Sequence, residues 1–504
     1  MKFGHWRWAN IEAGTIGDAV HPGPQRGTLV AFAIVSALFF ACVASAATIT
    51  VGTTADERNT NGQCSLREAI INANADNQSG SPDCLAGSGA DTILLQSGAT
   101  YVLSRDANNG DENAADEDDL DVTSTVTISG NNATVARDTN LDCSLNGGSL
   151  AGEFRIFHVH ATGNLTVQDM TVQFGCADGS GGGEPTGGGF LVDVGGTLTA
   201  VNSTITQNQA SAEGGGIESK GSVNVQNSAV TDNASGSNVT AGIGGGILSG
   251  QGGRLQLSDS IVSGNAAVGS LSVGGGIWNA GEATVLRSIL ANNSAFGGAA
   301  IYNSGEITAV NITVSGNAAF SSAVFNDTNG VIALSFATVT NNSSSQSGSA
   351  AVSNVASATN FSIRNSIVGN QSLGDNCSGS LTASGVNFDT DGTCSSFTQV
   401  SSAALNLGPL ANNGGPTDTH ALLAGSVAIN AVPSGQCTDV DNNVVTTDQR
   451  GVVRPQGLQC DAGAYETRRA GAAPAPAASG VFLAAMAVAL ALLGLRSLLR
   501  RQAP

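Results

Sequence analysis

The phrase GGGIWNAGEATVLRSILANNSA, which begins at Gly274, is written upstream as GGGILSGQGGRLQLSDSIVSGNAA from Gly244 and downstream as GAAIYNSGEITAVNITVSGNAA from Gly298. Related starts stand at Gly187 (GGGFLVD) and Gly214 (GGGIESK), and degenerate ones at Ser322 (SAVFNDT) and Ala350 (AAVSNVA). A repeat of roughly 23 to 33 residues restricts a chain to a solenoid or a propeller. Strand length separates the two. In ITAVNITVSGN, Ile307, Ala309, Ile312 and Val314 alternate with polar neighbours around an Asn turn, which makes strands of about three to five residues. A propeller blade needs four strands and about 40 residues. One coil of a parallel β-helix, with two or three short strands and tight turns, fits the shorter period. The expected fold is therefore all-β, a right-handed parallel β-helix solenoid over residues 91–400. About 12 coils at ~4.8 Å each would extend ~55 Å.

Residue types inside the phrase follow from that geometry. Gly274 to Gly276 supply positive φ and close approach between coils. Asn279, Asn303, Asn326 and Asn354 hold matching positions, so their amides are expected to hydrogen-bond along the axis as a ladder. A second ladder is expected through Asn208, Asn233, Asn265, Asn292, Asn317 and Asn342. Ile217, Ile247, Ile277 and Ile301 would stack inside, and Leu248, Trp278, Tyr302 and Phe325 would form an outward row. That row reads first as lateral packing and second as a contact surface for a sugar or a partner.

An open solenoid end would polymerise unless covered. In CSLREAIINANA, Ser65 and Glu68 form a capping box, and Leu66, Ala69, Ile70 and Ala73 make one apolar face. This short helix is expected to cap the first coil, within an N-terminal unit of residues 47–90.

The ends read as address labels. Arg26, the apolar stretch Leu29 to Val43 and Ala44-Ser45-Ala46 have the order of a secretory signal peptide, residues 1–46. Residues 468–480 are a Pro/Ala linker. Residues 481–501 combine an apolar span with Arg496, Arg500 and Arg501, as in a transmembrane or sorting tail with its positive end cytoplasmic. The expected location is the cell envelope or surface, with the C-terminus anchored or processed. Of nine cysteines, Cys42 lies in the signal. The other eight allow 105 connectivities; in an oxidising compartment the simplest pairs are sequence neighbours, Cys64–Cys84, Cys143–Cys176, Cys377–Cys394 and Cys437–Cys460.

Chemistry is harder to find. The net charge of −20, from 19 basic and 39 acidic residues, argues against nucleic acid as a partner, since phosphate binding needs clustered Lys and Arg. No CxxC occurs, and His158, His160 and His420 are the histidines beyond the signal; so few ligands argue against a metal site, and nothing suggests a cofactor. Lyases need a base and a cation beside the uronate, and glycosidases need two placed carboxylates. Glu282 and Glu306 fall at equivalent positions but without a basic neighbour at that register, so they read as turn residues. Asp193, Glu218 and Lys220 form the best alternative cluster, yet no catalytic residue is assigned. The acidic run from Asp106 to Asp121 offers oxygen ligands suited to Ca²⁺. It lacks the order of an EF-hand loop and reads as a solvated excursion. In DQRG, Asp448 and Arg450 suggest a local structural pair.

CSLREAIINANA, with DTILL, GATYVLS and DEDDLDVTSTVTISGNNATV after it, resembles the CSLREA-type N-terminal domain of bacterial surface proteins. LGPLANNGGPTDTHALLAGSVAINA, with DQRGVVRPQGLQCDAGAYE, resembles the choice-of-anchor Q domain and is assigned to residues 401–467. The repeats between them resemble the β-helices of polymorphic outer-membrane and pectate-lyase-like proteins. The resemblance implies an exported surface protein and transfers no catalytic residue. The resulting expectation is a non-catalytic structural or adhesive role, with a glycan or surface protein as ligand and the membrane met through the tail. The alternative is a polysaccharide lyase or hydrolase.

Overall fold

The computed structural model describes residues 46–105, 114–144, 153–178, 185–237 and 240–469. The signal segment, most of the linker and the apolar tail lie outside them, as do residues 106–113 of the acidic run. Among the described residues no helix is long and apolar enough to cross a membrane.

The chain is a parallel β-helix. The coil from Gly274 carries four short strands, Ile277–Asn279, Glu282–Leu286, Ile289–Ala291 and Ser294–Ala295. Each lies parallel to its counterpart one coil on, so Ile277 faces Ile301, Ala283 faces Ile307, Leu290 faces Val314 and Ser294 faces Ala318. Coils thus hold four segments rather than the two or three expected. The extra break falls at Arg287, whose φ of 47° turns the chain between the second and third strands. In the early coils the same two segments run on as single long strands, Thr125–Arg137 and Asn164–Gln173.

Among the described residues the stacks form three parallel sheets of 22, 10 and 7 strands around one apolar interior. Ile217, Ile247, Ile277, Ile301 and Val324 succeed one another there, all fully buried. Glycine is required where coils touch: a Cβ on Gly275 would meet the Ser294 carbonyl oxygen at 2.4 Å and that of Ala299 at 2.6 Å.

Both asparagine ladders exist. Asn279, Asn303, Asn326 and Asn354 are joined side chain to side chain at 2.9 to 3.0 Å. The second runs through Asn208, Asn233, Asn265, Asn293, Asn317 and Asn342, with each Nδ2 donating to the next Oδ1. Asn293, not Asn292, is the rung. The residue before each rung turns through positive φ, as at Gln207, Asp232, Gly264, Asn292, Gly316 and Asn341, so in an Asn-Asn pair the first makes the turn and the second points inward. A third ladder, in which the Ser203, Ser228 and Ser260 N–H groups donate to the hydroxyls of Ser228, Ser260 and Ser288, was not foreseen.

Helix α1, Leu66–Ala75, carries the expected capping box: the Glu68 N–H donates to Ser65 Oγ, and the Ser65 N–H donates to the Glu68 carboxylate. Its apolar face is buried, and it packs against strands Asp91–Leu94, Leu120–Val122 and Thr125–Arg137. Disulfides join Cys64–Cys84, Cys143–Cys176, Cys377–Cys394 and Cys437–Cys460.

Residues 401–467 fold back along the stack instead of extending it. They form two small antiparallel pairs, Leu407–Ala411 with Thr419–Leu422 and Val432–Pro433 with Gln459–Cys460. These share a core with Phe336, Ile367 and Phe388 of the coils. The outward residues of the third strands record the cover. Thr204, Thr206, Thr231 and Ser263 are half-buried in the early coils, whereas Thr313, Ser315, Thr338 and Thr340 are buried in the later ones. Ala464 therefore lies beside the coil of Thr338, to whose hydroxyl its N–H donates, and not beyond the last coil.

Candidate functional site

On the ten-stranded sheet, outward positions form two rows two residues apart. Strand pairing places Asp121, His158, Leu191, Glu218, Leu248, Trp278, Tyr302 and Phe325 in the first row. His160, Asp193 and Lys220 lie two positions further along their coils. One face is thus ionisable at its N-terminal end and aromatic at its centre. The aromatic row is as expected: Tyr302 and Phe325 stack with centroids 5.0 Å apart, and the Tyr302 hydroxyl donates to Asp327 at 3.0 Å. Burial, then the hydrogen bond to Asp327, raises the Tyr302 phenol.

The ionisable end is a cluster built from three successive coils. His158 and His160 stack with ring centroids 3.9 Å apart. Asp121 lies on one side of both rings, with Oδ1 2.6 Å from His160 Nε2 and 3.5 Å from His158 Nδ1. Asp193 lies on the other side, with Oδ1 3.2 Å from His158 Nε2 and Oδ2 3.6 Å from His160 Nδ1. The other Asp121 oxygen accepts the Ala115 N–H at 2.7 Å, so Oδ1 stays turned to the rings. Burial pushes the Asp121 carboxyl up, but the adjacent His158 and His160 rings and the Ala115 N–H outweigh it and hold the group down at about 2. For His158, burial acts to lower the imidazole, while Asp121, Asp119 and Asp193 raise it above its ordinary value on balance.

The sequence-derived cluster of Asp193, Glu218 and Lys220 divides. Asp193 turns to the histidines, and Glu218 pairs with Lys220 at 3.2 Å. The Glu218 side chain is 0% exposed, between Leu191 and Leu248 in register. Glu282 and Glu306 are adjacent as expected, but Arg254 occupies the preceding coil at the same register and bonds Glu282 at 2.8 Å. The absence of a basic neighbour is therefore corrected: the partner lies one coil upstream, where glycine-rich turns of unequal length hid the alignment. Apart from Asp121, which turns to the histidines, the described part of the acidic run is tied to arginines. Asp116 pairs with Arg58, Asp119 with Arg155, and the carbonyls of Ala115, Glu117, Asp118 and Asp119 accept from Arg67. The Asp448–Arg450 pair forms at 2.6 Å, buried, with the guanidinium over the Tyr465 ring.

The histidine cluster escaped sequence reasoning because its members were counted singly. The available signal was His-x-His in an alternating strand, which sets both rings on one face, one coil after the Asp of DLDV.

No protein-family model matches the chain, and no curated protein matches it. The CSLREA-type and choice-of-anchor Q resemblances thus gain no support from those comparisons. A solved structure, that of pectate lyase Pel9A, is 14% identical with a TM-score of 0.39, over 83% of this chain and 99% of that one. The β-helix assignment rests on the strand registers above.

Proposed function

We propose that the chain is an exported β-helix protein of the cell envelope with a non-catalytic, structural and adhesive role. The inaccessibility of Glu218 carries this reading. The carboxylate best placed by sequence to act as a base has no exposed surface and already faces Lys220; a base must come within hydrogen-bond reach of the proton it takes. Four disulfides fit an oxidising compartment. The CSLREA-type and choice-of-anchor resemblances, the signal-like start and the Arg-ended apolar tail support the surface location. A ligand surface is available on the seven-stranded sheet. There Phe296 and Phe320 stack 4.6 Å apart over a groove of about 570 Å³ that Val268 and Ala295 also line. A stacked pair of this kind, with Phe320 exposed and Phe296 half-buried, suits a glycan face or an apolar protein patch.

The competing reading, a polysaccharide lyase or hydrolase, draws on the partly exposed Asp193 beside the two histidines. One experiment separates them. The purified protein and its Glu218→Ala and Asp193→Ala variants are assayed on uronate and neutral polysaccharides, with soluble-glycan binding measured in parallel. Binding without turnover is expected, weakened by Phe320→Ala. Turnover by the parent that disappears in either acidic variant would overturn the structural reading. Loss of envelope fractionation on deleting 481–501 is expected for the anchor.

A further inference from the structure

We infer that Asp121, His158 and His160 form a binding site for a divalent transition-metal ion of the Zn²⁺ type. The inference concerns a site distinct from the aromatic groove and holds whether or not the protein turns over a polymer.

Three observations converge on it. First, one ligand atom from each of the three residues lies within 4.8 Å of the others, and the group is buried or half-buried. Two imidazoles and one carboxylate are the donor set Zn²⁺ prefers, whereas Ca²⁺ takes oxygen alone. Second, His158 is buried, and neither of its ring nitrogens has a hydrogen bond. Asp193 at 3.2 Å and Asp121 at 3.5 Å are near these nitrogens but not aligned to bond them. A buried ring nitrogen without a hydrogen bond is costly unless something satisfies it, and a cation between Nδ1 of His158, Nε2 of His160 and Oδ1 of Asp121 would satisfy Nδ1. Third, the groups behind the ligands are already in place. Asp193 faces the opposite nitrogen of both imidazoles, the position from which a carboxylate orients metal-bound histidines. The second Asp121 oxygen is held by the Ala115 N–H, and the Asp121 carbonyl accepts from Asn74 of α1.

The fold explains the convergence. Asp121 and His158 are register partners on adjacent coils, and His160 lies two residues on, on the same face. Each ligand thus sits on, or one residue beyond, a strand locked by its neighbours, which gives the precision a metal site needs. Three protein ligands leave a coordination position for water or for a donor from a bound molecule.

The test uses the full-length protein, stripped with a chelator and titrated with ZnCl₂, then with Co²⁺ as a spectroscopic probe. One Zn²⁺ per chain is expected, with Co²⁺ absorption of four- or five-coordinate type. His160→Gln should abolish binding, Asp193→Asn should weaken it by about 10- to 100-fold, and Glu282→Gln should leave it unchanged. If His160→Gln does not fold, protection carries the test on the unsubstituted protein: Zn²⁺ should shield His158 and His160, but not His420, from diethyl pyrocarbonate. Lack of saturable binding, binding that survives His160→Gln, or Ca²⁺ competing on equal terms would overturn the inference. Each result is independent of polysaccharide turnover and glycan binding.

Discussion

Replacing Asn265 by Ala removes the centre of the longer amide ladder. Asn265 Oδ1 accepts from the Asn233 N–H and from Asn233 Nδ2, both at 3.0 Å. Its own Nδ2 donates to the Val230 carbonyl at 2.9 Å and to Asn293 Oδ1 at 3.0 Å. Asn233 Nδ2 keeps the Ile205 carbonyl, and Asn293 Oδ1 keeps the backbone N–H at position 265. The buried Asn233 N–H loses its side-chain partner outright, which costs about 1–3 kcal/mol, and the three weakened groups add roughly 0.5–1 kcal/mol each. A loss of about 3–5 kcal/mol is expected. Asn227, whose amide bonds Asn202 on the exposed surface and whose φ of 48° suits glycine, is the control; Asn227→Gly should change stability by no more than about 0.5 kcal/mol. Urea unfolding followed by circular dichroism gives the two midpoints. Because stability in a solenoid is carried by neighbouring coils, hydrogen exchange should show protection lost first over the coils holding Asn233, Asn265 and Asn293. If Asn265→Ala loses no more than Asn227→Gly, or the loss is spread evenly along the stack, the ladder is not the energetic element argued here.

Arg67 is fully buried, bonds Asp56 at 2.7 Å and binds four carbonyls of the segment that leads into Asp121. Arg67→Met should cost about 3–5 kcal/mol, because it leaves a buried carboxylate without its partner, and Arg67→Lys should rescue little of it; the urea midpoint reports both. Gly275→Ala should cost about 1–3 kcal/mol through overpacking, while Gly297→Ala, whose Cβ would meet nothing closer than 3.3 Å, should cost clearly less in the same melts. His420 donates from Nδ1 to the Gly408 carbonyl and accepts from the Ser315 hydroxyl at Nε2, and burial holds its imidazole below the ordinary 6.5. A depressed folded value means the contribution is complete above pH ~6.5 and is lost as pH falls through that folded value. Thermal midpoints from pH 8 to 5 should therefore fall further for the parent than for His420→Gln; parallel curves would count against it.

The repeat alone determined a great deal here. Equal phrases at a near-constant spacing require equal coils, and equal coils stack residue upon equivalent residue, so Ile277 over Ile301 and Asn279 over Asn303 follow without knowledge of the tertiary structure. The Ser65–Glu68 cap is likewise a matter of neighbours along the chain, and the four disulfides join cysteines that are sequence neighbours. What required the folded chain is whatever depends on where unequal turns place a coil relative to the next. Whether Asn292 or Asn293 points inward depends on which residue takes the left-handed turn. The facing of Arg254 to Glu282 depends on the length of the turn between them. Residues 401–467 carry no repeat, so only packing against Phe336, Ile367 and Thr338 decided that they run back along the stack. The cluster of Asp121, His158, His160 and Asp193 is the clearest case. Its members are spread over three coils, and only the lateral register of the sheet makes them neighbours. Periodicity along a chain specifies what stacks on what within the repeat; contact between non-repeating side chains is specified by the register itself, which exists only once the coils have closed.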